Sequence, residues 1–228
     1  MTKNDIIEII NKEGLFQYNI FNDHTQNANE VVIKQENDQY SVYETDEKNK
    51  IKGEVLTFSN EKEAVDDFIK KLRELKKLYI STYVGKNYDT YYKEKFDNKP
   101  NNKIYASLCW PPIIFGPFWL IYRKMYKEAL LFIFIPIIIT ICITLLTKSG
   151  EMFGEIIGRL GNIILAIIGN SLYHMKIYRV INNIDNDYMY REDPIYYLKK
   201  YGGTNIVLAI ILVVINLTIA LLPIILKI

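Results

Sequence analysis

The chain has 228 residues, half of them hydrophobic, a formal net charge of +2 and a mean hydropathy of 0.00. That average conceals two halves: residues 1–100 carry 16 Lys and Arg against 19 Asp and Glu (net −3), and residues 101–228 carry 12 against 7 (net +5). A weakly acidic head on a basic, apolar tail points to a membrane and away from nucleic acid, since no basic stripe with interleaved aromatics occurs. Cys109 and Cys142 both lie in apolar sequence and read as small hydrophobes rather than a disulfide or metal pair. The opening Met-Thr-Lys-Asn-Asp leads into a polar amphipathic segment, which is not the pattern of a secretory signal.

In chain order, the spacing predicts a short helix over residues 3–13, with Thr2 as N-cap, Ile6, Ile7, Ile9 and Ile10 as its apolar side and Gly14 as its stop. Residues 15–21 alternate in strand fashion, and 22–29 are polar and loop-like. Two further strands are expected over 30–35 and 39–45, joined by Glu36-Asn37-Asp38. The charged run 46–50 is a second turn, and 52–58 a fourth strand with Leu56 and Phe58 on one face. Asn60 with Glu63 opens a helix over 61–77, in which Ala64, Val65, Phe68, Ile69, Leu72 and Leu75 recur at helical spacing. The fold class is therefore α+β: a small N-terminal antiparallel sheet with two flanking helices over residues 1–78, expected to fold alone.

Residues 79–105 form a connector rich in tyrosine (Tyr79, Tyr83, Tyr88, Tyr91, Tyr92, Tyr105), in which 91–96 reads as a turn or two of helix. The remainder, 106–228, reads as an all-α membrane domain. It opens on Trp110-Pro-Pro-Ile-Ile-Phe-Gly-Pro-Phe-Trp-Leu-Ile-Tyr-Arg-Lys-Met-Tyr126. Pro111, Pro112 and Pro117 break a straight helix, while Trp110, Phe118, Trp119, Tyr122, Arg123, Lys124 and Tyr126 suit the headgroup level. Residues 106–122 are thus expected to be interfacial and broken, becoming helical at about Trp119. Three spans follow. Residues 129–146 are uncharged and about 27 Å long as a helix. Residues 156–173 contain Arg159, Asn162 and Asn170, and residues 206–225 contain Asn216.

Cations cluster before the first span and between the second and third, whereas the other side has Lys148, with Arg159 nearby, and Lys227. The positive-inside rule then places the N-terminal domain on the cytoplasmic side of a multi-pass protein, with its C-terminus outside. Gly154 and Gly158, four apart, admit close helix approach and self-association of the spans.

Residues 1–78 resemble the immunity protein 59 family through the first helix, Gln39-Tyr-Ser-Val-Tyr-Glu-Thr-Asp-Glu47, and Phe58-Ser-Asn-Glu-Lys-Glu-Ala-Val-Asp-Asp-Phe-Ile-Lys-Lys-Leu72. The resemblance implies a bacterial protein that binds and neutralises a cognate polymorphic toxin. The membrane half resembles the uncharacterised bacterial membrane family called domain of unknown function 2628, through the 110–126 run, Gly169-Asn-Ser-Leu-Tyr173 and Gly202-Gly-Thr204.

Catalysis needs a nucleophile or metal with a positioned base. His24 lies in a polar loop and His174 at a membrane edge, without Cys, Asp or Glu at zinc-ligand spacing. Gly202-Gly203 lacks the Lys-Ser/Thr of a phosphate loop. No enzyme, cofactor or metal is expected. The candidate toxin-binding residues are Gln39, Ser41, Tyr43, Asp66, Asp67 and Glu74. The alternative is a transport accessory, channel or envelope-stress protein whose active part is the three spans, in which Glu155 and Arg159 share a helical face.

Overall fold

A computed structural model describes residues 3–97, 99–100, 103–147 and 150–225. Thr2, Lys148 and Lys227, and with them the expected first cap and the outer-side cations, lie outside the described residues. Contacts divide the chain into two compact units: Met1–Lys93 with Ile177–Tyr201, and Glu94–Lys176 with Gly202–Ile228.

The first unit holds α1 (Lys3–Glu13), β1 (Tyr18–Ile20), β2 (Val31–Glu36), β3 (Gln39–Thr45), β4 (Ile51–Phe58) and α2 (Glu61–Val84). Helix α1 ends where Gly14 takes φ +62 and Leu15 N–H reaches back to the Ile10 carbonyl at 2.9 Å, a left-handed stop that glycine adopts without a Cβ penalty. The sheet order is β1-β2-β3-β4. Glu36 faces Gln39 across a two-residue turn in which Asn37 and Asp38 both have positive φ, the geometry that matches the twist of a hairpin. Asp46 Oδ1 accepts from Lys48 N–H and Lys50 N–H at 2.9 and 2.8 Å, closing the second turn through a side chain.

One sheet face packs against both helices. Ile20, Val31, Ile33 and Val42 meet Ile6 and Ile10 of α1 and Ala64, Val65, Phe68, Ile69 and Leu72 of α2. Helix α2 starts at Asn60, whose side chain accepts from Lys62 N–H at 2.9 Å. Phe68 is fully buried, so Phe68→Ala costs about 3–5 kcal/mol.

The sheet expected to be antiparallel is so over β2–β4, but β1 runs parallel to β2. The polar stretch between them is long enough to carry the chain back, as a two-residue turn is not. Strand β1 is also shorter than the alternating pattern over 15–21, because Gln17, Phe21 and Asn22 take positive φ and end the ladder on both sides. Helix α2 extends past residue 77 to Val84, with Tyr79, Ile80 and Tyr83 buried. A 3₁₀ turn (85–87) and a π turn (88–92) follow, burying Tyr88 and Tyr92. Residues 177–201 complete this unit with α8 (Tyr188–Glu192) and α9 (Pro194–Tyr201), and α9 packs on α2.

The second unit contains α3 (Lys93–Phe96), α4 (Pro111–Phe115), α5 (Phe118–Tyr122), α6 (Tyr126–Thr147) and α10 (Ile206–Ile225). It also holds most of α7 (Gly150–Asn186), whose last ten residues belong to the first unit. The 110–126 run is broken as its prolines predict. Gly116 turns with φ +51 between α4 and α5, and Lys124 takes φ +57 before α6. Helices α6 and α7, and the stretch Pro194–Thr218 that takes in α9 and most of α10, are long and apolar enough to cross a membrane; α6, α7 and α10 cover the three expected spans. Pro136 lies inside α6.

Candidate functional site

Among the described residues, and leaving aside a cleft between the apolar helices, polar groups gather in three places, two in the first unit and one in the second. The first comprises the outward faces of β3 and of α2, which lie on opposite sides of the domain because α2 covers the sheet face that Val42 shares. Gln39 is exposed at the hairpin, Ser41 is half-buried opposite Thr57, and Asp66 and Glu74 are exposed on α2, with Asp67 half-buried beside them. Tyr43 is 4% exposed. Its hydroxyl donates to Gln26 Oε1 at 2.7 Å and Lys34 Nζ sits 5.6 Å over its ring, so the 22–29 segment covers it. Arg73 grips Glu13 through two hydrogen bonds of 2.7 and 2.6 Å. That bond holds the Glu13 carboxyl below its ordinary pKa and fastens α1 to α2.

The second place is a charged clasp around Glu30, whose side chain is 1% exposed. His24 Nε2 lies 2.9 Å from Glu30 Oε1 and His24 Nδ1 lies 2.7 Å from Asp23 Oδ1. Both ring nitrogens therefore face carboxylates, an arrangement in which both must donate. Burial opposes the imidazolium, but the Glu30 and Asp23 carboxylates outweigh it, and the His24 pKa is raised. Asn27 adds its backbone N–H and side-chain amide to Glu30 at 3.0 and 2.9 Å. From 177–201 come Arg191, 3.6 Å from Glu30 and 2.8 Å from Asp185, and the Arg191 carbonyl, which accepts from Asn29 Nδ2 at 2.8 Å. Sequence reasoning missed this clasp: Asp23 and Glu30 are near His24 in the chain, but nothing local announces Arg191.

The third is a seam along α7. The extended segment 103–109 donates Ser107 N–H and Cys109 N–H to the Ile167 and Ala166 carbonyls, each at 2.8 Å. Asn170 Nδ2 donates to the Leu108 carbonyl and Ser107 Oγ at 3.1 and 3.2 Å, and Ser171 Oγ accepts from Tyr105 N–H at 3.0 Å. His174 stacks on Phe96 with centroids 4.3 Å apart, and its Nδ1 lies 3.1 Å from the Tyr105 hydroxyl. A Cβ on Gly169 would stand 3.1 Å from the Trp119 ring, and one on Gly116 would stand 2.7 Å from Asn162 Oδ1. The Gly-Asn-Ser-Leu-Tyr run is thus the floor on which α5 and 103–109 rest, a use of small and amide residues suited to lipid surroundings.

Of the seven residues assigned to the membrane interface, Trp110 and Tyr126 are exposed, Phe118, Tyr122 and Lys124 are half-buried, and Trp119 and Arg123 are buried. The Arg123 guanidinium lies 5.1 and 5.2 Å from the Tyr122 and Tyr173 ring centres, a sandwich that offsets the desolvation of its charge. Lys176 donates to the Lys124 carbonyl, and Asn205 donates its N–H to the Tyr122 carbonyl and its amide to the Tyr126 hydroxyl at 2.8 and 3.0 Å. Among the spans, Gly154 meets Thr140 of α6, while Gly158 has open space. Glu155 and Arg159 pair at 3.3 Å. They line a cleft of about 570 Å³ together with Phe132, Pro136, Asn162 and Asn216.

Comparison with known families gives two matches. Residues 1–96 match the family model described as Immunity protein 59, and residues 68–179 match the one described as Protein of unknown function (DUF2628). Both resemblances read from the sequence are thereby found, and the two matches overlap over 68–96, from mid-α2 through α3. No curated protein and no solved structure matches the chain.

Proposed function

We propose that the protein is a membrane-anchored immunity protein whose N-terminal domain binds a cognate protein toxin and blocks it without turnover. The observation that carries this reading is the immunity-family match, which runs through α1, the whole sheet and α2. Neutralisation by binding needs an exposed, ordered surface. Two are available on elements held by the core: Asp66, Asp67 and Glu74 on α2, and Gln39 and Ser41 on the opposite face of the sheet. Tyr43 serves that surface from below by fixing the 22–29 segment through Gln26.

The three apolar helices are the anchor. With Arg123, Lys124 and Lys127 before the first span and Lys176, Arg179, Arg191, Lys199 and Lys200 after the second, the domain lies on the cytoplasmic side of the inner membrane and the C-terminus outside. Anchoring raises the local concentration of the domain where a toxin enters.

A second reading has its own observation. The cleft lined by Glu155, Arg159, Asn162 and Asn216 places polar groups among the spans, as a transport or channel function would need.

Co-purification separates the two readings. The full chain, extracted in mild detergent from cells expressing the neighbouring toxin gene in inactive form, retains the toxin on the immunity reading. The toxin is then lost when Asp66 and Glu74 are both changed to Arg. Retention unaffected by those changes but abolished by Arg159→Ala would move the function into the spans.

A further inference from the structure

The geometry points to a second membrane contact, made by the outer face of α9 with the headgroups of anionic lipid. Helix α9 is two-sided: Pro194 and Leu198 are buried, while Tyr196, Lys199, Lys200 and Tyr201 are exposed and Tyr197 is half-buried. Lys200 Nζ lies 5.7 Å from the Tyr196 ring centre and 5.9 Å from those of Tyr197 and Tyr201. The Tyr197 and Tyr201 rings are nearly parallel, and the Tyr190 ring meets Tyr197 at 4.4 Å. A stripe of phenol rings around an ammonium is poorly served by bulk water. It is well served at the headgroup level, where rings meet acyl glycerol and hydroxyls and ammonium meet phosphate.

The chain itself fixes the occupant. Four residues separate Tyr201 from Ile206, the first residue of the 20-residue apolar helix α10, so the α9 end lies within roughly 17 Å of the start of that helix even if the link is fully extended. Asn205, within that link, is tied to Tyr122 and Tyr126 of the Trp-, Tyr- and Arg-bearing interfacial turn. No acidic residue occurs from Pro194 to Ile206, and the acids next to it in the chain, Glu192 and Asp193, precede α9. A basic aromatic face this close to a bilayer complements anionic lipid. The contact is independent of whether the domain binds a toxin.

The test uses the full chain with Cys142→Ser, spin-labelled at Tyr196→Cys, in nanodiscs of phosphatidylcholine with or without phosphatidylglycerol. Cys109, 1% exposed, stays unlabelled. Glu63→Cys, on the exposed side of α2, is the control, and Lys199→Cys is a second site on the same α9 face. Collision with a water-soluble nickel complex should be roughly threefold lower at 196 than at 63 in anionic discs. Changing both Lys199 and Lys200 to Gln should bring the 196 label toward the control. A 196 label as accessible as the 63 label in both lipids would overturn the contact. Protection that persists in lipid-free detergent would overturn it too, by assigning the face to protein.

Discussion

Arg191 Nη1 lies 3.6 Å from the buried Glu30 carboxylate, joining a loop of the sheet domain to a segment that follows the second span. The two residues belong to one compact unit. Glu30 is 1% exposed and Arg191 17%, so the pair is shielded enough for its loss to be felt. Arg191→Ala should destabilise the sheet domain by about 1–3 kcal/mol, the range for a buried polar group that loses a partner, since His24 and Asn27 remain on Glu30. Hydrogen exchange at Val31 and Thr45, measured on the full chain, reads this directly. Unchanged protection would mean that Asn27 and His24 satisfy Glu30 unaided.

His24 gives the same clasp a pH dependence. Its folded pKa is raised by Glu30 and Asp23 against burial; Arg191 also faces Glu30, itself paired with Asp185, and Lys3 also faces Asp23. A raised pKa means that the protonated form favours folding. The contribution is complete below the unfolded value of about 6.5 and is lost as pH rises through the folded value. The melting temperature of the sheet domain should therefore fall between mildly acidic and mildly alkaline pH, and His24→Asn should flatten that slope. A wild-type slope that His24→Asn leaves intact would assign the dependence to another group.

Gly169 and Trp119 set a tighter limit. A Cβ at 169 would meet the indole at 3.1 Å, with the Cys109 Cβ at 3.6 Å on the same side. Gly169→Val should shift α5 away from α7 at a cost of about 1–3 kcal/mol. The change should appear as a red-shifted, more quenchable Trp119 emission in a Trp110→Phe background, since Trp119 is 4% exposed in the native packing. An unchanged spectrum would mean that the ring can pivot freely.

Much of this architecture is legible in the sequence, and the reasons differ by element. Helix α2 is legible because Ala64, Val65, Phe68, Ile69 and Leu72 share one face at helical spacing and Asn60 is a recognisable cap. The spans are legible from length and apolarity, and the break at Gly116-Pro117 from its residue types. The direction of β1 was not, because it depends on where a polar linker leads and not on alternation. The cover over Tyr43 was hidden likewise, since Gln26 lies in a loop without periodicity. The union of 177–201 with the sheet domain rests on Arg191, Pro194 and Leu198 meeting residues more than a hundred positions away, and no local pattern encodes such a pairing. The 169–173 run was visible as a motif, but its work became clear only with Trp119 and 103–109 beside it.

Membrane orientation has a direct check. A cytoplasmic reporter fused after Gly203 should be active and one fused after Ile228 inactive, as three spans and the cation distribution require. Activity at both positions would contradict a third crossing.

Survival of cells producing the cognate toxin tests the central claim most directly. Two full-length variants are compared at equal membrane abundance: one with Asp66 and Glu74 both changed to Arg on the exposed side of α2, and one with Arg159→Ala and Asn216→Leu in the cleft among the spans. The immunity reading predicts that the first loses protection and the second keeps it. Protection kept by the first variant and lost by the second would contradict that reading.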